Sequence, residues 1–126
     1  ELRDRELASA GNLARRYDVS KSLDVMFADI AERMPGEIAI VDQGTRMTYA
    51  ELDARSTDLA IYLKSRGIPD QSRIGLCVER SPEMIVGIIG ILKASCAYVP
   101  LDPASPAERL KFIIEDSDIA LLITQE

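Results

Sequence analysis

The chain has 126 residues, 47% hydrophobic and 29% charged, a balance that belongs to folded globular domains and excludes disordered, collagen-like and disulfide-stapled chains. Fifteen Lys and Arg stand against 21 Asp and Glu, a formal charge of -6, so no net basic field exists to hold a phosphate backbone or anionic lipid. Neither nucleic acid nor a membrane is an expected partner, and the length allows one core.

Histidine is absent, which removes the commonest general base and metal ligand and with it any Ser-His or Cys-His nucleophile. Cys77 and Cys96 form neither a C-x-x-C pair nor a zinc spacing, and counting alone leaves a disulfide between them open. No signal peptide opens the chain, so a reducing cytoplasm is the expected compartment. The longest mostly apolar run, residues 84–92, is far shorter than the roughly 20 residues of a membrane span.

Residues 1–20 are polar and charge-dense, with Leu2, Leu7, Leu13, Tyr17 and Val19 as the sizeable apolar groups and no sustained period; they read as a linker or loosely docked arm. From Ser22 onward Leu23, Met26, Phe27, Ile30, Ala31 and Met34 form one helical stripe. Ser22 is the expected cap, and Pro35-Gly36 the stop. Residues 37–42 and 45–49 read as a short hairpin turning at Gln43-Gly44. Thr48-Tyr49-Ala50-Glu51 fits a capping box, which starts a helix running to Arg66 with Leu52, Leu59, Ala60 and Leu63 inward. Gly67 suits the left-handed position just past its end, with Ile68 set to touch Leu63 in a Schellman arrangement.

Residues 73–79 read as a strand. Ser81-Pro82-Glu83 then supplies a cap, a proline at the first helical position and an acid in the first turn. The helix that follows, to about Ala94, is apolar on nearly every side and is expected to be buried all round. Gly87 and Gly90 each cost it about 1 kcal/mol of propensity, which suggests a close neighbour on that face. Residues 97–101 form a strand, Ser105-Pro106-Ala107-Glu108 reads as a second capping box ahead of a helix with Leu110, Ile113 and Ile114 inward, and residues 119–124 form a last strand. The fold class is therefore α/β: an N-terminal helix and small hairpin, then a β-α-β-α-β half of a doubly wound, mostly parallel sheet with right-handed crossovers.

Ligands in such sheets bind beyond the carboxyl ends of the strands, here near residues 79–82, 101–103 and 125–126. The seven glycines, at 11, 36, 44, 67, 75, 87 and 90, match neither G-x-G-x-x-G nor G-x-x-x-x-G-K-[ST]. Glu79 and Asp102 end neighbouring strands and offer a carboxylate pair for acid/base or magnesium work, against the simpler reading as solvated or capping acids. Cys77 and Cys96 as reactive thiols compete with a role as small core residues. Tyr49 and Tyr98 as stacking platforms compete with packing, Glu83 and Glu108 as catalytic acids with a helix-start role, and the charge run of residues 1–6 reads as a solvated end. No catalytic constellation emerges.

Two stretches carry a resemblance. Met47-Thr48-Tyr49-Ala50-Glu51-Leu52 resembles the first core motif of the amino-acid adenylation domains of nonribosomal peptide synthetases, and Leu92-Lys93-Ala94-Ser95-Cys96-Ala97-Tyr98-Val99-Pro100-Leu101-Asp102 is similar to their second. The string from Cys77 to Met84 and the residues from Pro103 to Asp116 read as that family does, so the likeness covers residues 21–126 and leaves residues 1–20 as a linker from a preceding condensation domain. Met47 stands where the family has leucine, a volume-conserving change. Ser95 stands where it has glycine; if that position needs a positive φ, serine costs about 1 to 2 kcal/mol there.

The resemblance implies the N-terminal part of the large subdomain of an enzyme that joins an amino acid to ATP as an aminoacyl-adenylate and passes it to the phosphopantetheine of a carrier protein. ATP, magnesium, the amino acid, the rest of the adenylation domain, and condensation and carrier domains are the implied ligands and partners. It places the family's phosphate loop, amino-acid pocket, ribose-binding aspartate and C-terminal lysine beyond Thr124. No catalytic, cofactor-binding or metal residue carries over to this chain, and the piece alone is expected to be inactive. The rival readings are a truncated adenylation-like docking module without catalysis and a flavodoxin-like nucleotide binder.

Overall fold

A computed structural model describes residues 23–125. The expectations for the arm of residues 1–20, its charge run and the Ser22 cap lie outside the described residues. The elements in chain order are α1 (Leu23–Arg33), β1 (Ile38–Asp42), β2 (Thr45–Thr48), α2 (Tyr49–Ser65), β3 (Arg73–Cys77), α3 (Pro82–Lys93), β4 (Ala97–Leu101), α4 (Ala107–Asp116) and β5 (Leu121–Thr124).

β1 and β2 pair antiparallel with Asp42 opposite Thr45, so the loop is the two residues Gln43 and Gly44. Both have positive φ, 48° and 85°, the signature of the type I′ turn whose twist suits a hairpin. β2 runs straight into α2, and the first helical N–H groups are all answered. Tyr49 N–H donates to Glu37 O and Ala50 N–H to Pro35 O, each at 3.0 Å, while Glu51 N–H donates to Thr48 Oγ1 at 3.1 Å. Thr48 N–H donates back to the Glu51 carboxylate at 2.9 Å, closing the capping box. At the other end Gly67 has φ 75° and donates to Lys64 O, the inner bond of a Schellman turn, with Ile68 packed on the cluster that holds Leu63.

The second sheet has the order β4-β3-β5, parallel throughout. Its central strand, β3, is paired on both edges, and Ile74, Gly75 and Leu76 are buried whichever face they point to, which is why the middle of the strand is apolar without alternation. Ile74 and Leu76 join the core with Leu63 and Ile91; Leu63, Ile74 and Ile91 are fully buried, worth roughly 1.5 to 3 kcal/mol each. Gly75 faces the other side, where a Cβ would lie 2.8 Å from Leu122 and 3.0 Å from Ile119. Ser56, the buried polar side chain of α2, is satisfied by donating to Asp53 O at 3.1 Å.

α3 holds the assembly together. A Cβ on Gly90 would sit 2.7 to 3.0 Å from three atoms of Leu59, and one on Gly87 would sit 2.8 Å from Leu76. The two glycines therefore let α2 on one side and β3 on the other reach the helix backbone. At its C-terminal end Lys93 Nζ donates to Asp53 Oδ1 (2.6 Å), Asp53 O (3.2 Å) and Thr57 Oγ1 (2.9 Å), and lies 5.4 Å from the centroid of the Phe27 ring. One largely buried ammonium thus ties α1, α2 and α3.

Two expectations change. Ser105 does not cap α4: Pro106 takes the cap position, with φ -57° and ψ 145°, and makes no side-chain cap bond. Asp102 is the cause, since its carboxylate accepts from Ala104 N–H and its carbonyl from Ser105 N–H, both at 2.9 Å, so the chain is still in a turn there. The helix starts one residue late, which leaves Glu108 at its second position, too early to reach back. Nor is α3 buried all round among the described residues. Val86, Gly87, Gly90 and Ile91 are buried, but Ile85 is 37% exposed and Ile88 and Ile89 are half-buried, because α1 covers only part of that flank.

Ser95 follows α3 with φ 62°. Ser95→Gly is expected to raise unfolding stability by about 1 kcal/mol in denaturant titrations, the cost of a left-handed side-chain-bearing residue; no change would mean that Ser95 relaxes elsewhere. Gly90→Ala gains about 1 kcal/mol of helix propensity. It loses more by overpacking against Leu59 Cβ, so a net loss of about 1 kcal/mol is expected by the same titration. The backbone and hydroxyl bonds of Thr48 hold the Glu51 carboxyl below its ordinary value of 4.5. A depressed pKa in the folded state stabilises above the ordinary value and ceases to do so as pH falls through the folded value. Stability measured downward from pH 6 should therefore fall less steeply below pH 4.5 for Glu51→Gln than for the parent chain.

Candidate functional site

The carboxyl ends of β3, β4 and β5 converge on one edge of the sheet, where parallel α/β proteins bind ligands. Two clefts open there, on different flanks of the start of α3. One, of about 410 Å³, is lined by Val78, Glu79, Arg80, Met84, Asp102 and Pro103. The other, also about 410 Å³, runs between Arg55 and Leu59 of α2, Glu83, Val86 and Gly87 of α3, and Thr124 and Gln125 at the end of β5.

Glu79 and Asp102, paired from sequence as possible acid/base or magnesium carboxylates, do meet on the wall of the first cleft. The bonds they make are structural, through the side chain of Asp102 and through the main chain of Glu79. The Asp102 carboxylate builds the turn before α4, and Glu79 N–H donates to the Gln125 side-chain oxygen at 2.7 Å, which ties the end of β3 to the end of β5. Ser81 caps α3 by accepting from Met84 N–H at 3.4 Å and donates to Glu79 O at 2.9 Å. Among the described residues no group of three or more Cys, Asp or Glu is placed to hold a metal.

The other sequence candidates resolve into packing and surface roles. Cys77 is half-buried, Cys96 is buried, and both are free thiols. Tyr49 packs its ring 6.1 Å from that of Phe27 at 41°. Tyr98 lies on the edge strand β4 and is exposed. Glu83 pairs with Arg55 at 3.4 Å, half-exposed on both sides, a contact worth no more than about 1 kcal/mol. Glu108 sits in the first turn of α4. Sequence reading missed the Lys93 junction with Asp53, Thr57 and Phe27; the available signal was a lone lysine closing an apolar helix.

The first cleft presents two carboxylates beside the one guanidinium of Arg80, and none of its lining residues is a glycine that could form a cradle of N–H donors. Among the described residues, the edge is held by the Gln125 side chain, the Asp102 turn and the Ser81 cap. No described helix is long and apolar enough to cross a membrane.

The model of the AMP-binding enzyme family matches residues 27–126. The chain is 44% identical over 124 residues to a component of the linear gramicidin synthase of Brevibacillus parabrevis, a match that covers 98% of this chain and 2% of that protein. In three dimensions it is similar to NpsA-ThdA, an artificially fused adenylation–PCP di-domain NRPS from Klebsiella oxytoca, with TM-score 0.80 and 24% identity over 84% of this chain and 20% of the other. It is equally similar to the N-terminal subdomain of K. oxytoca NpsA in complex with 3-hydroxyanthranilyl-AMSN, with TM-score 0.79 and 24% identity, covering 84% of this chain and 27% of that one. The chain therefore spans a small share of the proteins it matches. With the family model matched from α1 to the end of the chain, this chain belongs to the AMP-binding enzyme family.

Proposed function

We propose that the chain is the N-terminal portion of the large subdomain of a nonribosomal peptide synthetase adenylation domain. The observation that carries this is the match of nearly the whole chain, at 44% identity, to a synthase component roughly fifty times its length. The complete domain would activate an amino acid. The substrate carboxylate attacks the α-phosphorus of ATP, pyrophosphate leaves, and the acyl group then moves from the adenylate to the phosphopantetheine thiol of a carrier domain. The NpsA complex with 3-hydroxyanthranilyl-AMSN and the adenylation–PCP fusion support an adenylate ligand and a carrier partner for such a domain. A condensation domain upstream and magnesium with the ATP belong to the same reading, as does a reducing cytoplasm, supported by the two free thiols.

Within this reading the described residues position rather than react. The two stretches that carry the family likeness, Met47 to Leu52 and Leu92 to Asp102, are a helix start with its Thr48–Glu51 capping box and the passage from α3 through the Ser95 turn into β4. Both are framework that aligns the sheet's carboxyl edge.

Amino-acid-dependent exchange of pyrophosphate into ATP tests the proposal. The 126-residue chain should show none across all twenty amino acids, and a longer chain that spans a whole adenylation domain should show it with at least one. Exchange by the short chain would sink the assignment of its residues to framework, and a longer folded chain that binds neither ATP nor any amino acid would sink the enzyme reading.

A further inference from the structure

The main-chain pairing of β3 with β5 stops at Cys77 opposite Thr124. Two residues past that last rung, Glu79 N–H donates to the side-chain oxygen of Gln125 at 2.7 Å, across 46 residues of sequence. The Gln125 amide thus adds one more rung beyond the end of the sheet, built from a side chain instead of the backbone. The connection continues into α3. Glu79 O accepts from Ser81 Oγ–H at 2.9 Å, and Ser81 Oγ accepts from Met84 N–H at 3.4 Å in the first turn of the helix. The first residue after β5 is therefore linked, through the Glu79 peptide and the Ser81 hydroxyl, to the start of α3.

The bond also has a particular place. Glu79 lines one of the two clefts at the carboxyl edge, Gln125 lines the other, and Val78 lines both, so the bond forms the partition between them. We propose that Gln125 is a positioning residue for the adenylation reaction: it fixes the direction in which the chain leaves β5 relative to β3 and α3, at the edge where parallel sheets bind their ligands. This rests on the adenylation-domain reading. The side chain acts through the Glu79 main chain and touches no reacting atom. Its neighbours are committed elsewhere: Thr124 to the last main-chain rung, Asp102 to the turn before α4, and Glu83 to Arg55. Reacting groups tolerate little displacement, and a shift of about 1 Å costs on the order of 100-fold in rate, so a single lost rung is enough to be read in turnover.

Two substitutions separate the acceptor from the rest of the side chain. Gln125→Met keeps its length and removes the acceptor; Gln125→Glu keeps an acceptor oxygen at the same reach, with its charge in solvent because residue 125 is exposed. In a chain that spans a whole adenylation domain, Gln125→Met should lower kcat of pyrophosphate exchange by about tenfold or more, leaving the amino-acid KM within about twofold and the Tm within about 3 °C. Gln125→Glu should keep kcat within about threefold of the parent, and Gln125→Ser, too short to reach Glu79, should repeat the loss. In the 126-residue chain the Glu79 amide, followed by NMR, should exchange with deuterium about tenfold faster in Gln125→Met than in the parent or in Gln125→Glu. Unchanged kcat in a folded Gln125→Met or Gln125→Ser overturns the inference, as does Glu79 exchange that ignores the substitution. An equal loss in Gln125→Glu overturns it by tracing the effect to something other than the acceptor, and a loss carried by KM alone overturns it by showing a substrate contact. A folded parent that binds neither ATP nor any amino acid defeats the adenylation reading and this inference with it; an active parent with an indifferent Gln125→Met defeats this inference alone.

Discussion

The close approach of α3 to its two neighbours is the constraint on which the rest of the structure depends. Gly87 and Gly90 replace side chains with space that Leu76 and Leu59 fill, so the sheet and α2 are both held at backbone distance from one helix. Glycine in a helix interior costs backbone entropy, and the return is dispersion contact at a density that bulkier residues could not reach. With that spacing set, Lys93 at the helix end reaches Asp53 and Thr57 on α2 and still lies over Phe27 of α1. A wider separation would break the three bonds together. The antiparallel hairpin then has only to hang on the start of α2 through the Thr48 cap and the Pro35 and Glu37 carbonyls.

The carboxyl edge of the sheet is ordered by the same kind of local contact. Its acids are used as local connectors: Asp102 to make a turn, Glu83 to meet Arg55, and the Glu79 main chain to catch Gln125.

Where local chemistry was self-sufficient, the chain could be read without its fold. The capping box at Thr48, the glycine past α2, the Gln43-Gly44 turn and the parallel β-α-β-α-β order each follow from residues within a few positions of one another, and each is present. Ser95 belongs with them: its departure from glycine pointed to a left-handed position, and its φ is 62°. Reading failed where two local programmes competed. The Ser105 box and the Asp102 turn claim overlapping residues, and the turn wins because its two bonds form from the preceding strand end, before the helix has a hydrogen bond of its own. The candidate site was legible as a place, the strand ends, but the partners of its acids were not, since Gln125 and Arg55 lie 46 and 28 residues away from the groups they meet.

By itself the sequence determined the elements, their order and the sheet class, because periodicity, caps and turn residues act over one or two turns of chain. It also carried the family likeness in two short strings. Only the tertiary structure decided which face of α3 is buried, what Lys93 binds, and that Glu79 and Asp102 share a cleft. Those outcomes depend on contacts between residues tens of positions apart, for which no local pattern exists; they are settled by which surfaces can approach closely enough to exclude water, and here two glycines set that distance.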